Sequence, residues 1–240
     1  MLSKNQIKFI RSLKKKKFRQ LNQLFLAEGV KVVNELLNSS FKLHKLYGTA
    51  SFQNTFKIND LQIITEEELK MVSDFTNPNQ VIGIFEIPEE KKPLDQGLTV
   101  ALDDINDPGN LGTIIRLCDW FGVSQLICSN NTVDCFNPKV VQASMGSLTR
   151  IQINYVDLSN YLTQEKRVIY GTFLDGENIY NSKHDINSVL VLGNEANGIS
   201  ERIGELVQRK LTIPQFGDQQ QTESLNVATA TAIFLSEFRR

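Results

Sequence analysis

The stretch "LTVALDDINDPGNLGTIIRLCDWFG", residues 98–122, decides the fold class. Its first third is rich in branched apolar residues and reads as a strand. The middle, "NDPGN", crowds Asn, Asp, Pro and Gly into one turn. Leu111, Ile114, Ile115, Cys118 and Phe121 then recur at the spacing of one buried helix face. Thr113, Arg116 and Trp120 fall on another face of that helix. From spacing alone, Asn110 sits where a helix N-cap would sit and Arg116 is a solvated cation. The chain's only tryptophan beside that arginine also suits a partner surface or a stacking platform.

The same alternation continues to the C-terminus. "QLICSN" (125–130), "IQINYV" (151–156), "RVIYGTF" (167–173), "VLVLGNE" (189–195) and "KLTIP" (210–214) read as strands. Helical patterns begin near Leu111, Lys139, Ser200 and Ser224, the last with Ser224 as its cap. Strands alternating with helices predict an α/β fold with a parallel-type sheet covered on both faces. Ligands of such sheets bind in loops beyond the carboxyl ends of the strands. Upstream, "PEEKKPLDQG" (88–97) is polar, carries two prolines and a glycine, and reads as a linker. It separates a smaller α/β segment, residues 1–90, from residues 98–240. In that segment Ser3 with Gln6 and Thr65 with Glu68 form two capping boxes. Helices are expected after Ser3, over 30–39 and after Thr65, with strands over 24–29, 42–49, 61–65 and 80–87.

At 240 residues the chain suits one large domain or two small ones, and its 41% hydrophobic content is enough to bury a core. Met1 is followed by polar and basic residues, and no apolar run reaches the roughly 20 residues that span a bilayer. Cys118, Cys128 and Cys135 are an odd number without metal-type spacing, which predicts a reduced, cytoplasmic protein without structural disulfides and with no metal site. The net charge of −1 conceals an asymmetry. Residues 1–60 hold 12 Lys and Arg against three acids, so the remainder carries about −10. The basic end, above all Lys14, Lys15, Lys16, Lys17 and Arg19, points to a polyanion, although charge runs commonly form nothing more than a solvated helix face.

Three stretches that follow strands could carry chemistry: "DPGNLGTIIR" (107–116), "LGNEANG" (192–198) and "IPQFGDQQQTESLNVATA" (213–230). None is a dinucleotide fingerprint or a P-loop. In this order, with "NPKVVQASMGSLTRI" (137–151) between the first two, they resemble the SpoU (TrmH-like) family of RNA ribose 2′-O-methyltransferases of the SPOUT class. "FLAEGVKVVNELL" (25–37) looks like the family's substrate-binding domain, which has a ribosomal-protein L30e-like fold. The resemblance implies a trefoil-knotted C-terminal methyltransferase domain. Knots are otherwise all but absent among folds, and no periodicity predicts one. It implies S-adenosylmethionine as cofactor, held by backbone around Leu192, Gly193, Ile213 and Leu225, and RNA (rRNA or tRNA) as substrate. It further implies a homodimer, with Trp120, Phe121 and the last helix as interface candidates. Arg116 matches the residue proposed as base in the family, and Asn110, Glu195, Ser224 and Asn226 match its other polar site positions. An arginine is effectively always protonated, so gripping a phosphate and stabilising a developing alkoxide suit Arg116 better than proton abstraction. The loop between Pro214 and Ser224 is longer and more polar than in some relatives. Two rival readings are a non-catalytic L30e-type RNA-binding protein with a degenerate transferase domain and a dinucleotide-binding α/β enzyme.

Overall fold

In the computed structural model, which describes residues 1–56, 60–217 and 223–240, the chain forms two compact units. Unit one comprises residues 1–89 and 134–149; unit two comprises 90–133 and 150–240. The return of 134–149 to unit one is not visible in a sequence split at the 88–97 linker.

Unit one runs α1 (Lys4–Ser12), α2 (Lys16–Asn22), β1 (Leu24–Glu28), α3 (Val30–Leu37), β2 (Leu43–Gly48), α4 (Ala50–Phe56), β3 (Leu61–Ile63), α5 (Glu66–Val72) and β4 (Val81–Glu86). Its sheet has the order β1-β4-β2-β3, antiparallel except for the β2–β3 pair. Both capping boxes form as the sequence predicts, at Ser3 with Gln6 and at Thr65 with Glu68. Ile10, Leu13, Leu24, Leu26, Leu69, Ile82 and Ile84 build one core cluster. The N-terminal helical stripe does not run on through the lysines. It breaks at Leu13–Lys15, where three-residue hydrogen-bonded turns close the first helix.

Unit two opens with β5 (Thr99–Leu102), α6 (Pro108–Trp120) and β6 (Gln125–Ser129). The chain then enters α7 (Pro138–Ser144), which packs on β1 within unit one, where Phe136 lies 4.8 Å from Phe25 between ring centroids. This cover explains why all five residues of β1 are buried. Unit two resumes with β7 (Gln152–Val156), α8 (Leu158–Gln164), β8 (Val168–Asn178), β9 (Ser188–Leu192), α9 (Glu201–Gly204), β10 (Arg209–Thr212) and α10 (Val227–Phe238). Two helices, α4 and α8, have no counterpart in the sequence reading; each spans seven residues and offers little periodicity.

The second sheet is parallel throughout, in the order β10-β8-β9-β5-β6-β7. Strands β5, β6 and β9 are buried along their whole length, as expected of a parallel sheet covered on both faces. One face packs Leu158, Leu162 and Ile203 against Ala101, Ile127 and Val191. Helices α6 and α10 pack on each other, and Arg239 caps α6 by donating to the carbonyls of Phe121 and Gly122, both at 2.6 Å. From β5 the chain crosses toward β6, whereas from β9 it crosses the other way, past β8 to β10. The carboxyl ends of β5 and β9 are therefore adjacent strands with diverging exits, which makes a topological switch point.

The linker is stitched down over much of its length. Asn154 and Gln152 side chains donate to the carbonyls of Lys91 and Lys92, Gln125 bonds both backbone groups of Leu94, and Arg167 donates to Gly97. Arg167 is buried and forms a two-pronged ion pair with Glu165 at 3.0 and 2.6 Å. Burial pushes the Glu165 carboxyl up, but the Arg167 hydrogen bonds and charge outweigh it and hold the group down to about 2. The pair thus adds stability that is complete above the ordinary carboxylate range and is lost as pH falls through that depressed value. An Arg167→Met protein is expected to be less stable to urea at pH 7 by roughly 3 kcal/mol, because it leaves a buried carboxylate without its partner. Unfolding curves at pH 7 and pH 3 check this: the difference between wild type and variant should shrink at the lower pH.

Among the described residues no helix is long and apolar enough to cross a membrane, and no group of His, Cys, Asp or Glu is placed to hold a metal ion.

Candidate active site

The switch point is built from the loops after β5 and β9. Asp104, two residues past β5, lies in the left-handed region, at φ 58°. Such a conformation needs support, and Asp104 receives it. Its carboxylate accepts from Ser129 Oγ (2.6 Å) and Asn131 Nδ2 (3.2 Å), and its carbonyl accepts from Asn194 Nδ2 (2.7 Å). The buried Asp103 carboxylate accepts from the Ser200 amide at 2.7 Å. Both aspartates therefore tie the first loop to the second.

The second loop folds back on itself. Asn194 and Gly198 exchange backbone hydrogen bonds at 2.9 Å each, and Asn194 Oδ1 accepts from the amides of Ala196 and Asn197. Gly193 lies against this return so closely that a Cβ there would stand 2.0 Å from the Gly198 carbonyl carbon and 2.1 Å from the Ile199 nitrogen. Only glycine permits that approach.

The reversal projects Glu195 onto the start of α6. Its carboxylate accepts from the Asn106 and Asp107 amides at 3.4 and 3.3 Å, and from Asn110 Nδ2 at 3.0 Å. A carboxylate is favoured there by the free amides and the dipole of the helix. Asp107, not Asn110, caps α6, accepting from the Asn110 amide at 2.8 Å. Pro108 fills the first turn, where its missing N–H costs nothing. Relieved of capping, the Asn110 side chain faces outward from the third helical position. Its Oδ1 accepts from Asn226 Nδ2 at 2.9 Å. Asn226, not Ser224, caps α10, accepting from the amides of Ala228 and Thr229 at 3.0 and 3.2 Å. The cap moves because asparagine spans two amides at once while its own amide remains free to donate.

Glu195, Asn110 and Asn226, one from each motif stretch, thus form a single hydrogen-bonded chain. Arg116 stands on α6, exposed, and makes no hydrogen bond or ion pair among the described residues. Glu195 is engaged with backbone and Asn110, so its contacts hold loop geometry and do not include the arginine. Ser224 is exposed and its side chain has no hydrogen bond among the described residues. Trp120 is 84% exposed. Of the four positions expected to line a cofactor, Leu192 and Gly193 are buried at the end of β9, Ile213 is half-buried just past β10, and Leu225 is 48% exposed just before α10. Residues 218–222 of the loop between Pro214 and Ser224 lie outside the described residues. Asp103, Asp104 and Asp107 do not stand out in the sequence. The paired aspartates closing a strand were the signal available.

The basic end needs correction. Arg19 is 2% exposed and cannot face a nucleic acid. Its guanidinium pairs with Asp134 (3.0 and 2.5 Å) and donates to the carbonyls of Leu13 and Lys14. Desolvating an arginine demands such partners, and here they close the turn between α1 and α2. Lys14 is bonded to Asp74 at 2.5 Å and to the Ser73 carbonyl. Lys15, Lys16 and Lys17 are exposed.

Residues 97–236 match the model of the SpoU rRNA methylase family, and residues 4–83 match that of the MRM3-like substrate-binding domain. The chain is 31% identical to the 23S rRNA (guanosine(2553)-2′-O)-methyltransferase RlmP of Bacillus subtilis, over 99% of this chain and 97% of that protein. A TrmH-family protein from Porphyromonas gingivalis has a solved structure that superposes with a TM-score of 0.90 at 40% identity, covering 100% of this chain and 98% of the other. An AdoMet-bound rRNA methyltransferase from Sinorhizobium meliloti superposes with a TM-score of 0.86 at 32% identity, covering 100% and 95%.

Proposed function

The chain belongs to the SpoU rRNA methylase family, and from that premise we propose that it is an S-adenosylmethionine-dependent RNA ribose 2′-O-methyltransferase acting on ribosomal RNA. The observation that carries the reading is the hydrogen-bonded chain Glu195–Asn110–Asn226, which unites the three motif stretches at the switch point of the sheet. Full-length likeness to a relative named as a 23S rRNA ribose methyltransferase supports the substrate class.

The residues present fit S-adenosylmethionine. Gly193 lets the 198–199 return lie against the end of β9 and so shapes the loop there, and Leu225 and Ile213 offer apolar surface beside main-chain groups. In this reading Leu192, Gly193, Ile213 and Leu225 hold the cofactor. When bound, it supplies an electrophilic methyl group on a sulfonium. The chain's own residues do the rest. The ribose hydroxyl is a poor nucleophile and must be aligned and relieved of its proton. Arg116 grips the adjoining phosphate through its two-pronged donor fork and stabilises the oxyanion as it forms. Asn110 and Asn226, locked to each other, orient the ribose, with Glu195 fixing Asn110 from behind. Ser224 stands two residues before the α10 cap as a further hydroxyl for substrate. The fold carries the family's trefoil knot, and the protein works in the cytoplasm as a homodimer, with exposed Trp120 at the interface. Lys15, Lys16 and Lys17 face RNA.

The non-catalytic reading is disfavoured because every polar position of the three motifs is present and Asn110 is bonded to both Glu195 and Asn226. Mapping of ribose methylations on total rRNA and tRNA, from cells with and without the protein, tests the proposal. Loss of one rRNA methylation is the expected result. Unchanged maps for both RNA classes would sink it.

A further inference from the structure

The eight cations that precede the first acid, Glu28, do not act as one block. Two are spent inside unit one, Lys14 on Asp74 and Arg19 on Asp134. The rest sort by position. On α1, Ile10 is buried and Ile7 and Phe9 are partly buried against the core of the unit. Lys4, Lys8 and Arg11 recur at i, i+4 and i+7 and so lie within a stripe of roughly 60° on the opposite side. All three are exposed, and none forms an ion pair among the described residues. The acid of the packed helix α5 closest to this terminus in bonding is turned inward: Glu68 accepts from the Leu2 amide and, at 3.0 Å, from the Thr65 amide. Lys15, Lys16 and Lys17 extend the charge from the end of α1 onto the start of α2.

We propose that this rail, Lys4–Lys8–Arg11 continued by Lys15–Lys17, is the surface on which unit one takes the phosphate backbone of its RNA. The proposal rests on the methyltransferase reading above. Successive cations on α1 are about one helical turn apart, about 6 Å along the axis from Lys4 to Lys8 and about 4.5 Å from Lys8 to Arg11, a spacing that lets long flexible side chains meet neighbouring phosphates of one strand. The aromatic residues nearest the rail, Phe9 and Phe18, are half-buried, so no ring stands clear to stack on a base. The rail therefore sets affinity and its salt dependence, and leaves the choice of nucleotide to other surfaces.

The test compares Lys4→Gln/Lys8→Gln/Arg11→Gln with wild type and with Lys14→Gln, using filter binding to an unmodified large-subunit rRNA transcript between 50 and 200 mM salt. Loss of three phosphate contacts should lower the slope of log affinity against log salt by about 2 to 3 and weaken low-salt binding at least about tenfold. Lys14→Gln should bind like wild type, and S-adenosylmethionine titration should be the same for all three proteins. A triple variant with the wild-type slope and affinity overturns the rail while leaving the methyltransferase reading intact. Should the triple variant melt early by circular dichroism, Lys15→Gln/Lys16→Gln/Lys17→Gln carries the same comparison, because those side chains are exposed. A wild-type protein that neither binds the transcript nor methylates RNA overturns rail and reading together.

Discussion

Arg116→Ala is expected to lower the rate of methyl transfer by about a hundred- to a thousand-fold, the effect of removing a donor aimed at developing charge. S-adenosylmethionine binding should be preserved, because Arg116 is exposed and supports no other residue among those described. For the same reason the variant should be as stable as wild type to within about 0.5 kcal/mol. Single-turnover methylation with a saturating RNA, beside calorimetric titration of the cofactor, separates the two effects. Wild-type turnover in this variant would remove Arg116 from the chemistry. Arg116→Lys then asks which role the arginine plays. A lysine gives up its proton more readily than an arginine. Were the side chain a base, the rate would rise with pH as it lost its proton and would level off at lower pH in the lysine variant than in wild type. As a phosphate grip, the lysine keeps its charge and loses the fork, so KM for RNA rises and the profile stays where it was.

Much of this was legible in the sequence because strand and helix periods are written locally. The parallel sheet follows from buried runs such as "VLVL" (189–192), and both capping boxes follow from one spacing rule. What stayed hidden depends on contacts between distant positions. Asn110 reads as a cap because asparagine before an apolar stripe ordinarily is one. Its real neighbours, Glu195 and Asn226, lie 85 and 116 residues away. Arg19 looks like one more cation of a basic run until Asp134, 115 residues on, takes it inward. The left-handed Asp104 could not be foreseen either, since the groups that hold it come from the ends of β6 and β9. The site was readable as a set of residue types. Its wiring was a property of the sheet order, which places the exits of β5 and β9 side by side.

That wiring makes Gly193→Ala the most damaging small substitution expected in unit two. The added methyl carbon would lie 2.0 Å from the Gly198 carbonyl carbon, 2.1 Å from the Ile199 nitrogen and 2.4 Å from the Gly198 oxygen. These are backbone atoms, so no rotamer change relieves the overlap and the 198–200 return must move as a piece. Moving it strains the Asn194–Gly198 hydrogen bonds and the Ser200–Asp103 bond, and with them the placement of Glu195 against Asn106, Asp107 and Asn110. Overpacking of this kind costs about 1–3 kcal/mol. If most of that cost falls on the cofactor-competent arrangement, affinity for S-adenosylmethionine drops about ten- to a hundred-fold, at 1.4 kcal/mol per tenfold. Gly198→Ala is the control. Its φ of 68° carries a strain of about 1–2 kcal/mol for an L side chain, but its Cβ would meet nothing within 4 Å. Calorimetric titration should therefore find Gly193→Ala far weaker than Gly198→Ala. Equal affinities would mean that the close approach at Gly193 does not shape the cofactor site.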